Sequence, residues 1–188
     1  KYFAKYNKQK RTFEALSELI QETADEIRYL ESVSNSLDIA LSEADLGQIK
    51  EELTASGYVR RKFTKKKVKL TNKPMHYISS DGYDIYVGKN NIQNDELTFS
   101  FANGGDWWFH AKGAPGSHVI VKTNGDELPD RTFEEAGRLA AYYSKNRGSD
   151  KVEIDYIEKK HVKKPNGAKP GFVVYYTNYS LMAAPDIT

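Results

Sequence analysis

Between residues 8 and 41 apolar side chains return at alternating steps of three and four: Phe13, Leu16, Ile20, Thr23, Ile27, Leu30, Ser34, Leu37, Leu41, and then Ala44. That period predicts one long helix with a coiled-coil seam. Thr23 and Ser34 are polar positions in the seam, and no proline or glycine interrupts the run. Ser42-Glu43-Ala44-Asp45 reads as a capping box opening a second helix. Leu46, Ile49 and Leu53 continue that helix, and Gly57 offers its stop. A helix of about a dozen residues spans roughly 18 Å, and the first would span roughly 50 Å. Most of the first seam therefore lacks a partner within the chain. It pairs with a missing upstream helix or a second copy, or it lies as a single helix on a globular domain.

From Met75 the pattern changes to short strands with turn punctuation. Ser80-Asp81-Gly82-Tyr83 carries an Asp-Gly hairpin signal between His76–Ser80 and Tyr83–Val87. Alternation predicts further strands at Leu97, Phe99 and Phe101, at Val119 and Val121, and at Val152, Ile154 and Tyr156; Phe172–Thr177 reads as the last. One helix interrupts them: Thr132 with Glu135 resembles a capping box, Ala136, Leu139, Ala140 and Tyr143 form its apolar stripe, and Gly148 ends it. The fold class is α+β, a mainly antiparallel sheet with a packed helix, preceded by a long helical coiled-coil arm. The domains are a partial arm at 1–57, a connector at 58–73 and a folded domain at 74–188.

Charge sharpens that division. The net charge of the 188 residues is +2, too small to point to nucleic acid alone. Residues 60–73 carry eight bases and no acids, while the segments on either side are net negative. This basic run, with Phe63, Val68 and Leu70 interleaved, is either a solvated linker or a site for a polyanion. Cysteine is absent, which removes disulfides and thiolate sites together. No apolar run approaches the ~20 residues needed to cross a bilayer, so membrane insertion is not expected. No signal peptide is visible, and a start at Lys1 rather than methionine is expected of a fragment.

The most unusual stretch is Asn103–His118, NGGDWWFHAKGAPGSH, with two tryptophans, two histidines, a lysine and four glycines in sixteen residues. If Asp106–Lys112 is a strand, Trp107, Phe109 and Ala111 share one face and Trp108, His110 and Lys112 the other. The first set suits a core. The second offers a flat ring, an imidazole and a cation, groups that stack on bases and pair with phosphates. The following Gly113-Ala114-Pro115-Gly116-Ser117 permits close approach of a ligand. A well-packed strand followed by a turn explains the same pattern.

A second basic cluster, Lys159–Gly171, holds Lys163, Lys164 and Lys169 among prolines and glycines, as in an exposed loop. Gly88–Asp95 is rich in amides, which serve turns or read base edges. Enzymatic readings are weak. Asp106, His110 and His118 match no zinc spacing, Ser117 beside His118 lacks a nucleophile-elbow context, and there is no P-loop, dinucleotide fingerprint or EF-hand. We expect no catalytic residues, no metal and no cofactor.

DGYDIYVGKNNIQNDELTF (81–99), DWWFHAKGAPGSHVI (106–120), LAAYYSKN (139–146) and VKKPNGAKPGFVVYYTN (162–178) resemble, in order, the NFACT-R domain that closes the NFACT proteins of ribosome-associated quality control. KYNKQKRTFEAL and EIRYLESV, in residues 1–57, resemble the returning part of that family's middle coiled-coil arm. The resemblance implies a cytoplasmic, ribosome-associated, non-catalytic RNA-binding factor that docks on large ribosomal subunits obstructed by peptidyl-tRNA. It further implies rRNA and tRNA as partners, with tRNA recruited for alanine tailing of the stalled chain. By motif match, Trp108, His110, Lys112, Gly113, Pro115, Gly116, Ser117 and His118 would face RNA, and Lys163, Lys164 and Lys169 would hold phosphates. Family members are also known as fibronectin-binding proteins of the cell surface, which gives an adhesin module as the alternative.

Overall fold

The computed structural model describes residues 2–60, 72–123 and 125–187. Most of the basic connector, residues 61–71, lies outside them. The described residues form four α-helices, α1 (Tyr2–Ile39), α2 (Glu43–Ala55), α3 (Asn91–Glu96) and α4 (Asp130–Tyr142). Six strands accompany them: β1 (Met75–Ile78), β2 (Asp84–Val87), β3 (Trp107–Ala111), β4 (Val119–Val121), β5 (Val152–Glu158) and β6 (Tyr179–Ala183). The strands make one sheet in the order β1-β2-β4-β3-β5-β6 with every neighbour antiparallel. The α+β class with an antiparallel sheet and a packed helix is what the sequence predicts.

Local chemistry sets the elements that were anticipated correctly. Ser42 and Asp45 form the reciprocal capping box of α2: Asp45 N–H donates to Ser42 Oγ at 3.2 Å and Ser42 N–H to Asp45 Oδ2 at 2.9 Å. Asp81-Gly82 turns the β1–β2 hairpin, with Gly82 at φ 87°, a conformation that suits glycine. α4 lays Ala136, Leu139 and Ala140 over Phe109, Val119, Val121 and Ile154 to form the main core. Burying each larger apolar chain there stabilises the fold by about 1.5–3 kcal/mol.

Four predicted features come out differently. α1 is one helix, but its buried face is Tyr29, Val33, Ser36 and Ile39, while Phe13, Leu16, Ile20, Ile27, Leu30, Leu37 and Leu41 are exposed. α2 docks Ile49 against Tyr29 and Val33, nearly opposite the predicted seam, so no coiled coil forms within the described residues. Leu97–Phe101 is a π-helical turn, not a strand, because Asn90 caps α3 and the helix continues, Ala102 N–H reaching Leu97 O at 2.9 Å. Thr132 and Glu135 do not cap α4, which starts after Pro129. Thr132 Oγ1 instead lies 2.8 Å from the Asp81 carboxylate, and Glu135 accepts from Ser80 N–H at 2.8 Å, tying α4 to the hairpin. Phe172–Thr177 joins no strand; Val173 and Tyr175 turn inward onto the second core and the edge falls to β6.

Candidate nucleic-acid interface

β3 is covered on both faces. Trp107, Phe109 and Ala111 face α4 as predicted. Trp108 faces the other side but is wholly buried with Leu97, Ile120, Ile157 and Val162. Its ring stacks on His110 at 5.5 Å, and it meets the His118 edge at 5.1 Å and Tyr175 at 5.0 Å. The expectation that Trp108 offers an open ring to a base is therefore corrected. Strand alternation shows which side a residue takes, not whether another layer covers it, and the π-helical turn with Val162, Val173 and Tyr175 supplies that layer.

The glycine-rich loop divides in the same way. Ser117 and His118 are buried. Ser117 Oγ donates to Gly88 O at 2.5 Å, and His118 N–H donates to Asn94 Oδ1 at 3.0 Å. His118 Nδ1 sits 2.8 Å from Thr98 Oγ1 and 3.2 Å from Asn94 O. Burial, joined by the neighbouring His110, holds the His118 imidazole well below its ordinary pKa. Burial also pushes the half-buried His110 down to about 4, against the attraction of the Asp155 carboxylate. Both rings are neutral near pH 7, so neither brings a cation to a phosphate there. Pro115 and Gly116 are half-buried, and a Cβ on Gly116 would meet Ser144 Cβ at 3.2 Å. Gly113, at φ 63°, and Lys112, paired with Glu153 at 2.7 Å, are exposed. The surface of this motif is thus the Lys112–Gly116 rim, supported from below by Ser117 and His118.

The three loop lysines do not converge. Lys163 is exposed, and its backbone bridges Val174. Lys164 pairs with Asp95. Lys169 lies 4.0 Å above the Tyr29 ring and 3.3 Å from the Tyr58 hydroxyl, which ties this loop to α1 and to the segment after α2. The amides of residues 88–95 are not base readers either. Asn90, Asn91, Gln93 and Asn94 are buried. Asn90 and Gln93 both donate to Gln48 Oε1 at 2.9 Å, and Asn91 donates to Glu52 Oε1 at 2.9 Å. No periodicity in the sequence marks this junction between α2 and α3; only the unusual amide density does.

Glu52 sits in that junction with one carboxylate oxygen lacking a hydrogen-bond partner. Burial raises its pKa, opposed by the Asn91 hydrogen bond. A carboxyl raised on folding favours the folded state at low pH and loses that contribution as pH climbs through its folded value. Glu52→Gln is therefore expected to melt above the parent at pH 7–8, with the difference closing as both approach pH 4. Equal melting temperatures throughout would contradict this. Among the described residues no group of three His, Asp or Glu side chains is placed to hold a metal.

Residues 73–176, more than half of the chain, match the family model for the NFACT protein RNA binding domain. The chain belongs to the NFACT family. Residues 1–72 match the model for the NFACT N-terminal and middle domains, so α1 and α2 lie in one family region and β1–β5 in the other, with β6 beyond both matches. The Rqc2 homolog RqcH of Streptococcus suis is 47% identical over 186 residues, 98% of this chain and 33% of the relative. That of Bacillus subtilis is 42% identical over 188 residues, 98% of this chain and 32% of the relative. The human ribosome quality control complex subunit NEMF is 37% identical over 81 residues, 42% of this chain and 7% of that protein. The chain thus spans about a third of the bacterial NFACT relatives. The solved C-terminal part of the fibronectin/fibrinogen-binding protein from Streptococcus suis superposes with a TM-score of 0.89 at 46% identity, covering 98% of this chain and 74% of that one.

Proposed function

We propose that this chain is the non-catalytic RNA-docking part of a ribosome quality control factor. It acts in the cytoplasm on large subunits obstructed by peptidyl-tRNA and supports tRNA recruitment for alanine tailing. The observation that carries the reading is an RNA-binding-domain match whose cation-bearing loop, Lys159–Lys169, exposes Lys160, Lys163 and Lys164 on a domain that is otherwise slightly acidic. Polarised charge of this kind orients docking on a polyanion. The Lys112–Gly116 rim and Lys163, Lys164 and Lys169 face phosphates, while Trp108, Ser117 and His118 hold that surface in place and His110 lies at its boundary. The relatives' names, Rqc2 homolog RqcH and ribosome quality control complex subunit NEMF, support the ribosomal setting.

Binding to purified large subunits should weaken steeply with salt. Lys163→Gln, Lys164→Gln and Lys169→Gln together should flatten the slope of log K against log salt by about 0.7–0.9 per lost phosphate contact. Lys163, the one of the three without a side-chain partner among the described contacts, should account for most of the change. An unchanged slope would remove these lysines from the interface. The fibronectin/fibrinogen-binding name of the similar solved structure favours a second reading, a protein-binding module. On that reading fibronectin affinity survives nuclease and varies little with salt.

A further inference from the structure

Residues 176–178 form a turn into β6 whose backbone is held out of its relaxed state. Thr177 has φ 58°, the single non-glycine positive φ among the described residues, and threonine is β-branched. Such outliers persist where surrounding contacts over-determine them. Here the buried Asp155 carboxylate clasps both shoulders of the turn: Tyr175 OH donates to Oδ2 at 2.9 Å and Ser180 Oγ to Oδ1 at 2.7 Å. The clasp pushes two rings outward, Tyr176 at 74% and Tyr179 at 60% exposure. Tyr179 is backed by an aromatic group, stacked on Tyr156 at 5.5 Å with 27° between planes and tilted against Trp107 at 6.5 Å. One flat side of a rigid ring is thus supported from behind.

Strand pairing relates two lysines to this turn. Lys163 bridges Val174, two residues before Tyr176. Tyr179 is the register partner of Tyr156, and β5 runs on from there through Glu158 to Lys159, Lys160 and His161. Glu158, the acid between Tyr156 and Lys159, is paired with Lys160, and the Asp155 carboxylate is taken up by Tyr175 and Ser180. Among the described residues Lys159 and Lys163 enter no ion pair. Supported exposed rings beside cations complement a strand that carries both planar faces and phosphates, and bases already stacked in a duplex have no face to give.

We infer that Tyr176 and Tyr179 form a stacking site for unpaired RNA bases, with Lys159 and Lys163 on the flanking phosphates. The site rests on the RNA-docking reading above and is separable from it. The test is fluorescence anisotropy of the 188-residue chain with labelled oligouridine, with an RNA duplex of equal length as comparison. Tyr176→Ala and Tyr179→Ala should each weaken oligouridine binding by about 5- to 150-fold, the range of one base–aromatic stack. Duplex binding should move less than ~2-fold, and Tyr176→Phe and Tyr179→Phe should keep parental affinity because the ring carries a stack. Tyr179→Leu, which keeps apolar bulk against Tyr156, should lose affinity while still folding. Alanine variants that bind as tightly as the parent overturn the site, as do phenylalanine variants that lose as much as alanine. A parent chain that binds large subunits but not oligouridine overturns the site and leaves the docking reading standing. A parent chain that binds no RNA at all overturns both.

Discussion

Replacing Trp108 by alanine is expected to destabilise the fold by about 3–5 kcal/mol, the range for truncating a buried large aromatic. For a chain of this length that lowers the melting temperature by on the order of 10 °C. The cost arises because the ring fills the space between the sheet and its outer layer, touching His110, His118 and Tyr175 at once. A cavity there would also loosen Leu97, Ile120 and Ile157. Trp108→Phe should cost less than half as much, since it keeps an aromatic ring and removes an indole N–H that has no hydrogen-bond partner. Measured well below its melting point, Trp108→Phe should bind RNA like the parent. An alanine variant with parental stability and lost RNA binding would return Trp108 to the interface.

What was legible in the sequence is what local chemistry decides. Asp81-Gly82 makes its hairpin and Ser42 with Asp45 make their box with no help from distant residues. The same box pattern at Thr132 and Glu135 fails because Ser79, Ser80 and Asp81, brought near by the sheet, compete for those side chains. Leu97, Phe99 and Phe101 alternate like a strand, yet the amide network anchoring α3 to α2 carries the chain on as a helix. A short apolar run is open to either form, and tertiary contacts choose. The candidate site was legible in its motif but not in its depth. Hydropathy identifies Trp108 and His118 as chemically rich; whether they meet solvent depends on Tyr175 and the π-helical turn, which approach from elsewhere in the chain. Tyr176 lies inside the predicted strand Phe172–Thr177 and Tyr179 beyond it, so no periodicity in the sequence marks the two as a pair.

Asp106 has the second largest expected effect. The sequence places it near His110 and His118 without zinc spacing, and in the fold its carboxylate is occupied. It is buried, accepts from Asn103 N–H at 2.7 Å and Thr123 N–H at 3.2 Å, and pairs with Lys122. Asp106→Ala strands two amide donors and a largely buried ammonium, at a cost of about 3–5 kcal/mol. Lys122→Met should cost far less, about 1 kcal/mol, because both amides keep their acceptor. Asp106→Asn falls between: one carboxamide oxygen remains, but its NH2 must face a donor or the Lys122 charge. In Asp106→Asn combined with Lys122→Met the clash with an amide N–H remains, but the ion pair that each single variant loses is lost only once, so the double variant should be more stable than the sum of the single losses by about 1 kcal/mol or more. Strict additivity in thermal or urea unfolding would show that the Lys122 pair is not coupled to the turn. The effect should extend beyond stability. Asp106 O accepts from Lys159 N–H at 2.8 Å and Gly104 O from Lys160 N–H at 3.0 Å, so the Asn103–Gly105 turn positions the first lysines of the basic loop. Loosening Asp106 should therefore weaken RNA binding at temperatures where the variant is still folded, which Trp108→Phe should not do.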